Sequence, residues 1–234
     1  MTRRFVIVGQ TATASPKFSL VDIPGTSGRL DILLRCLRSA LLVSHGLRRD
    51  TVVYLVLLGG ELAPRVLKVD GRHVRFVRPD ERMLAVLVQK ALARSSPDAE
   101  RDVFVEVRPG LAVARGGIEA VLADVTRDRA GGDAIAGGEA IAGGDAIAAY
   151  VLEENARDVR DGPLASDDVV VFVGDHRGFD DATRARLTDL GAVPIGVGPI
   201  SIHADDAITI VCNEMDRRTA AAAATQASPQ RSPS

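Results

Sequence analysis

The chain has 234 residues, 46% of them apolar, so it can bury a substantial core in one or two domains. Lys and Arg number 29 against 31 Asp and Glu, a formal net charge of -2, which excludes an overall basic field for nucleic acid or an anionic membrane. Any polyanion site must be a local patch. The two cysteines, Cys36 and Cys212, form no CxxC and have no spacing to histidine that suits zinc, so a reducing cytosol is expected, with no disulfide framework and no metal. The apolar run after Met1 is too short for a signal peptide or a membrane span.

Arg4 to Gly9 is short, β-branched and ended by glycine, as suits a buried parallel strand. After a long connection to Gly28, Leu30, Leu33, Leu34, Leu37 and Leu41 recur at helical spacing, and His45-Gly46 closes that helix. Asp31, Arg35 and Arg38 fall toward another face. Val52 to Leu58 predicts a second buried strand, and Val66-Leu67 with Val74 to Val77 flank Asp70-Gly71, a hairpin signal. Pro79-Asp80-Glu81 opens an amphipathic helix through Ala93, with proline and acids where a helix N-terminus favours them.

The segment 130–148 repeats AGGDAI, AGGEAI, AGGDAI, a unit too short for a solenoid and too rich in Gly-Gly for a helix. A surface loop is expected. Val169 to Val173 is the most continuous apolar β run; Gly174 to Gly178 follows, then helix from Asp180 to Leu190, strand from Val193 to Val197, and a final helix from about Asp205 to Arg218. That alternation signals an α/β fold, with 1–218 one domain and 219–234 a disordered tail.

In open α/β sheets ligands bind beyond the carboxyl ends of the strands, where glycine lets backbone approach them. Gly174 to Gly178 and Gly196 to Ser201 hold that position, although neither matches GxGxxG and no GxxxxGK[ST] occurs. Taken alone, these glycines either close tight βα turns or admit a ligand. His176 and His203 beside them are open to a structural or a catalytic reading, and Cys212 within an apolar helix reads as a buried inert thiol. Arg29, Arg35 and Arg38 could hold phosphates; Asp31 and Arg35, four apart, could equally be a helical ion pair.

The run PGTSGRLDILLRCLRSALLVSHGLRRD at 24–50, RPDER at 78–82, VFVGDHRG at 171–178 and GPISIHADDAITIVCNEMD at 198–216 resemble the archaeal tRNA pseudouridine N1-methyltransferases of the TrmY type, in the SPOUT superfamily. The likeness runs in order from about residue 5 to 218. It implies a mostly parallel sheet with helices on both faces and a C-terminal deep trefoil knot, a rare exception to unknotted topology. It further implies S-adenosylmethionine as cofactor, a cytoplasmic homodimer with no membrane association, and methylation of N1 of pseudouridine at position 54 in the tRNA T-loop. Carried over by position, the cofactor site falls on Leu152, Gly174, Gly196, Val197, Gly198, Pro199, Ile200, Ser201 and Ala207. Ala207 stands where the family often carries cysteine, so a backbone contact survives there and a side-chain role does not. The resemblance places Asp31 as proton acceptor or orienter, with Arg29 and Arg35 as base or phosphate holders. Two other readings remain open: methylation of pseudouridine in ribosomal RNA, and a non-catalytic RNA-binding protein of the same fold.

Overall fold

A computed structural model describes residues 2–127, 135–137, 147–162, 164 and 168–227. In chain order the elements are β1 (Arg3–Thr13), α1 (Ile23–Thr26), α2 (Leu30–Leu41), β2 (Leu42–Val43), β3 (Gly46–Leu47), β4 (Thr51–Gly59), β5 (Arg65–Asp70) and α3 (Glu81–Arg94). Then follow β6 (Val105–Arg108), β7 (Leu111–Arg115), α4 (Ile118–Arg127), β8 (Ile135–Gly137), β9 (Ile147–Leu152), β10 (Val169–Gly174), α5 (Asp181–Asp189), β11 (Val193–Ile195) and α6 (Ala204–Ala227).

The main sheet runs β11-β9-β10-β1-β4-β5-β7-β6, with β8 also on β9. From β11 to β4 it is parallel, and Phe5 stands between Val171 and Val53; beyond β4 it turns antiparallel, with Leu55 opposite Leu67. The strands alternate between two cores. Phe5 and Ile7 join Leu33 and Leu37 of α2, Leu84 and Val88 of α3, and Ile208 and Val211 of α6. Val6 and Val8 face the other way, with Val121 of α4 and Leu187 of α5. Helices thus cover both faces, which is why the parallel strands are apolar at nearly every position.

Helix starts follow their caps. Asp80 accepts from the Met83 amide at 2.9 Å and Asp180 from the Thr183 amide at 2.7 Å, each satisfying an amide that the first turn leaves unpaired. On the second face, Asp124 of α4 accepts from the Tyr54 hydroxyl at 2.8 Å and from Lys68 Nζ at 2.6 Å, tying that helix to β4 and β5.

Three expectations shift. The Asp70-Gly71 turn makes no hairpin with residues 74–77, because β5 already pairs with β4 on one side and β7 on the other. Val74 turns inward to the core instead, its amide bonded to Asp70 O at 2.9 Å. The repeat at 130–148 is not wholly loop: Ile135 pairs in parallel with Ile147, and 147–148 belong to β9. Copies one and three of the repeat supply those equivalent isoleucines; the remainder of the repeat lies outside the described residues. The last helix runs past Arg218 to Ala227, through an alanine-rich stretch of the highest intrinsic helix propensity. The rest of the expected tail lies outside the described residues.

Candidate functional site

Residues 24–31 fold into a compact corner at the mouth of the site. The Ser27 hydroxyl accepts from the Leu30 amide at 3.2 Å, which starts α2. Gly28 has φ +63°, and a Cβ there would lie 1.9 Å from Thr11 O, so only glycine fits. Arg29 follows, also left-handed at φ 68°. This turn swings its guanidinium back over Asp31, which it grips through Nε at 3.0 Å and Nη2 at 3.2 Å. Arg35, one turn along α2, adds Nη1 at 3.0 Å.

Asp31 itself is 3% exposed. Burial pushes its carboxyl upward, but hydrogen bonds from Arg29 and then Arg35 outweigh this and hold it below the ordinary carboxylate value. Its hydrogen bond in turn raises the Arg29 guanidinium. The group is a fixed anion that aims two cations.

Those cations border a cleft of about 790 Å³ at the carboxyl ends of β9 and β10. Leu152, Val173 and Ile32 give it apolar surface, and Gly174, Val197 to Ser201 and Ala207 form walls, so the carried-over cofactor positions converge there. Gly196 lies just behind, its amide bonded to Arg157 O at 2.8 Å and its carbonyl to the Val159 amide at 2.8 Å. At Gly174 a Cβ would come within 2.9 Å of Gly178 Cα, so the bare backbone here is a packing requirement. Asp31 does not line the cleft but stands behind Arg29 and Arg35, which do.

Several lining residues were not singled out from the sequence: Glu153, Glu154 and Asn155 after β9, Arg184 from α5, and Asp205 in the first turn of α6, the last within the 198–216 run that carries the resemblance. They meet only because three strand ends and one helix start converge. Asp205 is buried, its Oδ2 lies 3.8 Å from Arg35 Nε, and its Oδ1 has no hydrogen-bond partner among the described residues. Asp175 accepts from the Gln10 and Arg177 amides, each at 2.8 Å, so it serves the loop itself. His176 and His203 both line the cleft. Cys212 is buried and pushed up to about 11 by burial, as an inert thiol should be, and no cluster of metal-ligating groups occurs among the described residues.

A family model described as putative SAM-dependent RNA methyltransferase matches residues 2–133 and 137–220. A protein of Methanosarcina acetivorans named tRNA (pseudouridine(54)-N(1))-methyltransferase is 36% identical over 218 residues, 93% of this chain and 92% of its own. A Halobacterium salinarum protein of the same name is 39% identical over 218 residues, 92% of this chain and 96% of its own. Among solved structures, Archaeoglobus fulgidus Nep1 bound to S-adenosylhomocysteine superposes with a TM-score of 0.58 at 18% identity, over 94% of this chain and 100% of that one.

Proposed function

Because this chain belongs to the family of SAM-dependent RNA methyltransferases, we propose that it methylates N1 of pseudouridine at position 54 of the tRNA T-loop, as the names of its archaeal relatives state for them. The observation that carries this reading is the pairing of a glycine-walled cleft with two arginines fixed at its mouth by one buried carboxylate. The cleft suits S-adenosylmethionine: its volume lies in the range of small-molecule sites, and Leu152, Val173 and Ile32 offer apolar surface beside the backbone of Gly174 and Gly198. Leu152, Gly174, Gly198 to Ser201 and Ala207 would hold it, with Ala207 contributing backbone and a methyl surface only. When bound, it supplies an electrophilic methyl group on a sulfonium.

The protein's own work is positioning. Arg29 and Arg35 hold phosphate beside the target nucleotide, and Asp31 keeps them aimed. Its lowered pKa and three guanidinium bonds make Asp31 an orienter and a poor proton acceptor. Asp205, a cleft-lining carboxylate beside Arg35, is assigned to receive the N1 proton. Pseudouridine offers that N–H and uridine has none, so the substrate preference lies in the base itself.

The finer architecture belongs to the same proposal. The segment 157–159 pairs with Gly196 after β11, and Arg218 in the middle of α6 bonds Val159 O at 2.7 Å, Gly162 O at 3.2 Å and Arg160 O at 3.3 Å. The likeness of residues 171–178 and 198–216 to SPOUT sequences is what supports a trefoil-knotted path through this region. The groove between α2 and α6, floored by Leu42, Leu47 and Cys212 beside exposed Val43, supports a homodimer.

The test is mass spectrometry of tRNA transcripts incubated with the protein and S-adenosylmethionine, with uridine or pseudouridine at the T-loop site. Methyl transfer to the pseudouridine transcript alone is expected. Equal methylation of the uridine transcript, or methylation of a ribosomal hairpin in preference to both, would overturn the assignment.

A further inference from the structure

We propose that a second cleft, between α3 and the β6–β7 turn, is an RNA-docking site where Phe76 stacks on an unpaired base of tRNA while Arg75, Arg78, Lys90 and Arg108 take flanking phosphates. This rests on the tRNA reading above and adds to it a place on the protein remote from the methyl-transfer cleft.

Phe76 is 86% exposed and has φ +61°, a conformation costly for a bulky residue. Neither solvent exposure of a ring nor that backbone helps folding. The backbone that presents the ring is nevertheless fixed. Val74 is fully buried and Arg49 Nη1 donates to Gly71 O at 2.8 Å and Val74 O at 3.2 Å, which anchors the segment that presents Phe76. Opposite, Gly110 O accepts from the Asp70 amide at 2.9 Å, and a Cβ on Gly110 would lie 2.2 Å from Val74 N, so the two walls are packed together.

The cleft, about 480 Å³, has apolar lining from Met83, Val86, Leu87 and Leu111. The four cations rim it, all are exposed, and none enters an ion pair among the described residues. Three acids lie nearby in sequence, Asp80, which caps α3, Glu81, and Glu106, which accepts from the Gly110 amide at 3.0 Å, and none of them pairs with these four cations among the described residues. In a chain whose net charge is -2, four exposed cations without an ion pair among the described residues thus gather around one exposed ring. An aromatic platform among cations is the arrangement that binds single-stranded nucleic acid, bases on the ring and backbone on the charges. A second copy of this chain fits worse, since a twofold axis would set the four cations against their own image.

Register places the site. Gly174, at the methyl-transfer cleft, is level with Val8 and Val56, whereas Asp70, which leads into the Phe76 segment, pairs with Val52. Along the strand direction the two are about 13 Å apart at about 3.3 Å per residue, with three strand spacings between β10 and β5 across the sheet. RNA bound here is therefore a part of the tRNA other than the reacting nucleotide.

The test uses the full chain with F76A, F76W and the double variant K90A/R108A, reading filter binding of pseudouridine-containing tRNA across a salt series, methylation kinetics and sedimentation. F76A should weaken tRNA binding about tenfold, with F76W restoring it. K90A/R108A should flatten the salt slope by about 1.4, that is about 0.7 for each phosphate of a single strand that is no longer neutralised. KM for tRNA should rise with kcat and S-adenosylhomocysteine affinity unchanged. If wild type methylates tRNA and F76A binds it equally well, the docking site is wrong. If wild type fails to methylate but F76A still loses RNA affinity, the docking site stands and the reaction assignment falls. Loss of self-association in F76A would assign the cleft to a second copy and overturn the proposal.

Discussion

Replacing Asp31 by asparagine separates positioning from chemistry at the mouth of the cleft. The carboxylate is 3% exposed and accepts three guanidinium hydrogen bonds of 3.0, 3.2 and 3.0 Å. Asparagine preserves its size but removes the charge and sets an amide donor among donors. Breaking a buried ion pair by removing one partner costs about 3–5 kcal/mol. Here the Arg29 and Arg35 side chains are 45% and 35% exposed, so water screens part of the loss and about 2 kcal/mol is expected. For a chain of this size that lowers Tm by about 4–8 °C. The released arginines should also raise KM for tRNA and reduce methyl transfer by about tenfold or more, while S-adenosylhomocysteine affinity measured calorimetrically stays near wild type. Thermal unfolding and initial rates on the same preparation decide. An unchanged Tm with abolished turnover would make Asp31 part of the proton transfer and refute the orienting role; unchanged values of both would refute any role.

Three further outcomes follow from the same contacts. Gly174→Ala places a methyl 2.9 Å from Gly178 Cα, so the wall must shift; S-adenosylhomocysteine binding should weaken about tenfold by calorimetry with circular dichroism unchanged, and wild-type affinity would show the wall is not part of the cofactor site. Arg218→Ala leaves the carbonyls of Val159, Gly162 and Leu164 without their donor, so hydrogen exchange in 157–164 should quicken and urea unfolding should show a loss of about 2 kcal/mol; unaltered exchange there would refute the bracing role. Asp216 is pushed up by burial but held below its ordinary value of 3.8 by hydrogen bonds from Arg3 and then Arg48. A depressed carboxyl stabilises the fold above its unfolded pKa and loses that contribution as pH falls through the lower, folded value, so Asp216→Asn should narrow the stability difference between pH 6 and acid below about pH 4, and an acid profile parallel to wild type would refute this.

Much of the parallel half was readable because both of its faces are covered. Val169 to Val173 and Val52 to Leu58 are apolar at every position for that reason, and the leucines of α2 repeat with the helical period because one side alone faces the sheet. In the antiparallel half only β5 was readable, from Val66-Leu67, and its outer partner β7 was not. β6 is four residues, mostly exposed, and β7 mixes alanine with arginine, so neither shows a strand pattern. α4 carries Asp124 on its buried side, where it meets Tyr54 and Lys68, and a carboxylate there interrupts the apolar face. The glycine loops of the cleft could be found from their place after strands. Glu153, Arg184 and Asp205 could not, since their nearness depends on which strands are neighbours, and β9, β10 and α6 are separated by long stretches of chain.

The location of the chemistry follows from the same burial that made the strands readable. With Phe5 and Ile7 sealed by one helical layer and Val6 and Val8 by the other, neither face of the parallel sheet can hold a polar ligand. Open space for polar groups lies where strands end, the Asp124–Tyr54–Lys68 cluster on the second face being closed upon itself. At the carboxyl ends β10 hands over to Gly174-Asp175, β9 to Glu153-Glu154, and the chain after β11 crosses in front of them through Gly198 before α6 begins at Ala204. The wall so formed is held from the far side by Arg218 on the segment that also pairs with Gly196. The cleft is thus shaped by long-range closure of the C-terminal third, whereas Arg29, Asp31 and Arg35 are set by a local turn at Gly28. Cofactor affinity should therefore depend on the integrity of the C-terminal closure, and arginine placement on eight residues near the N-terminus, which makes the two separable by mutation although they border one cavity.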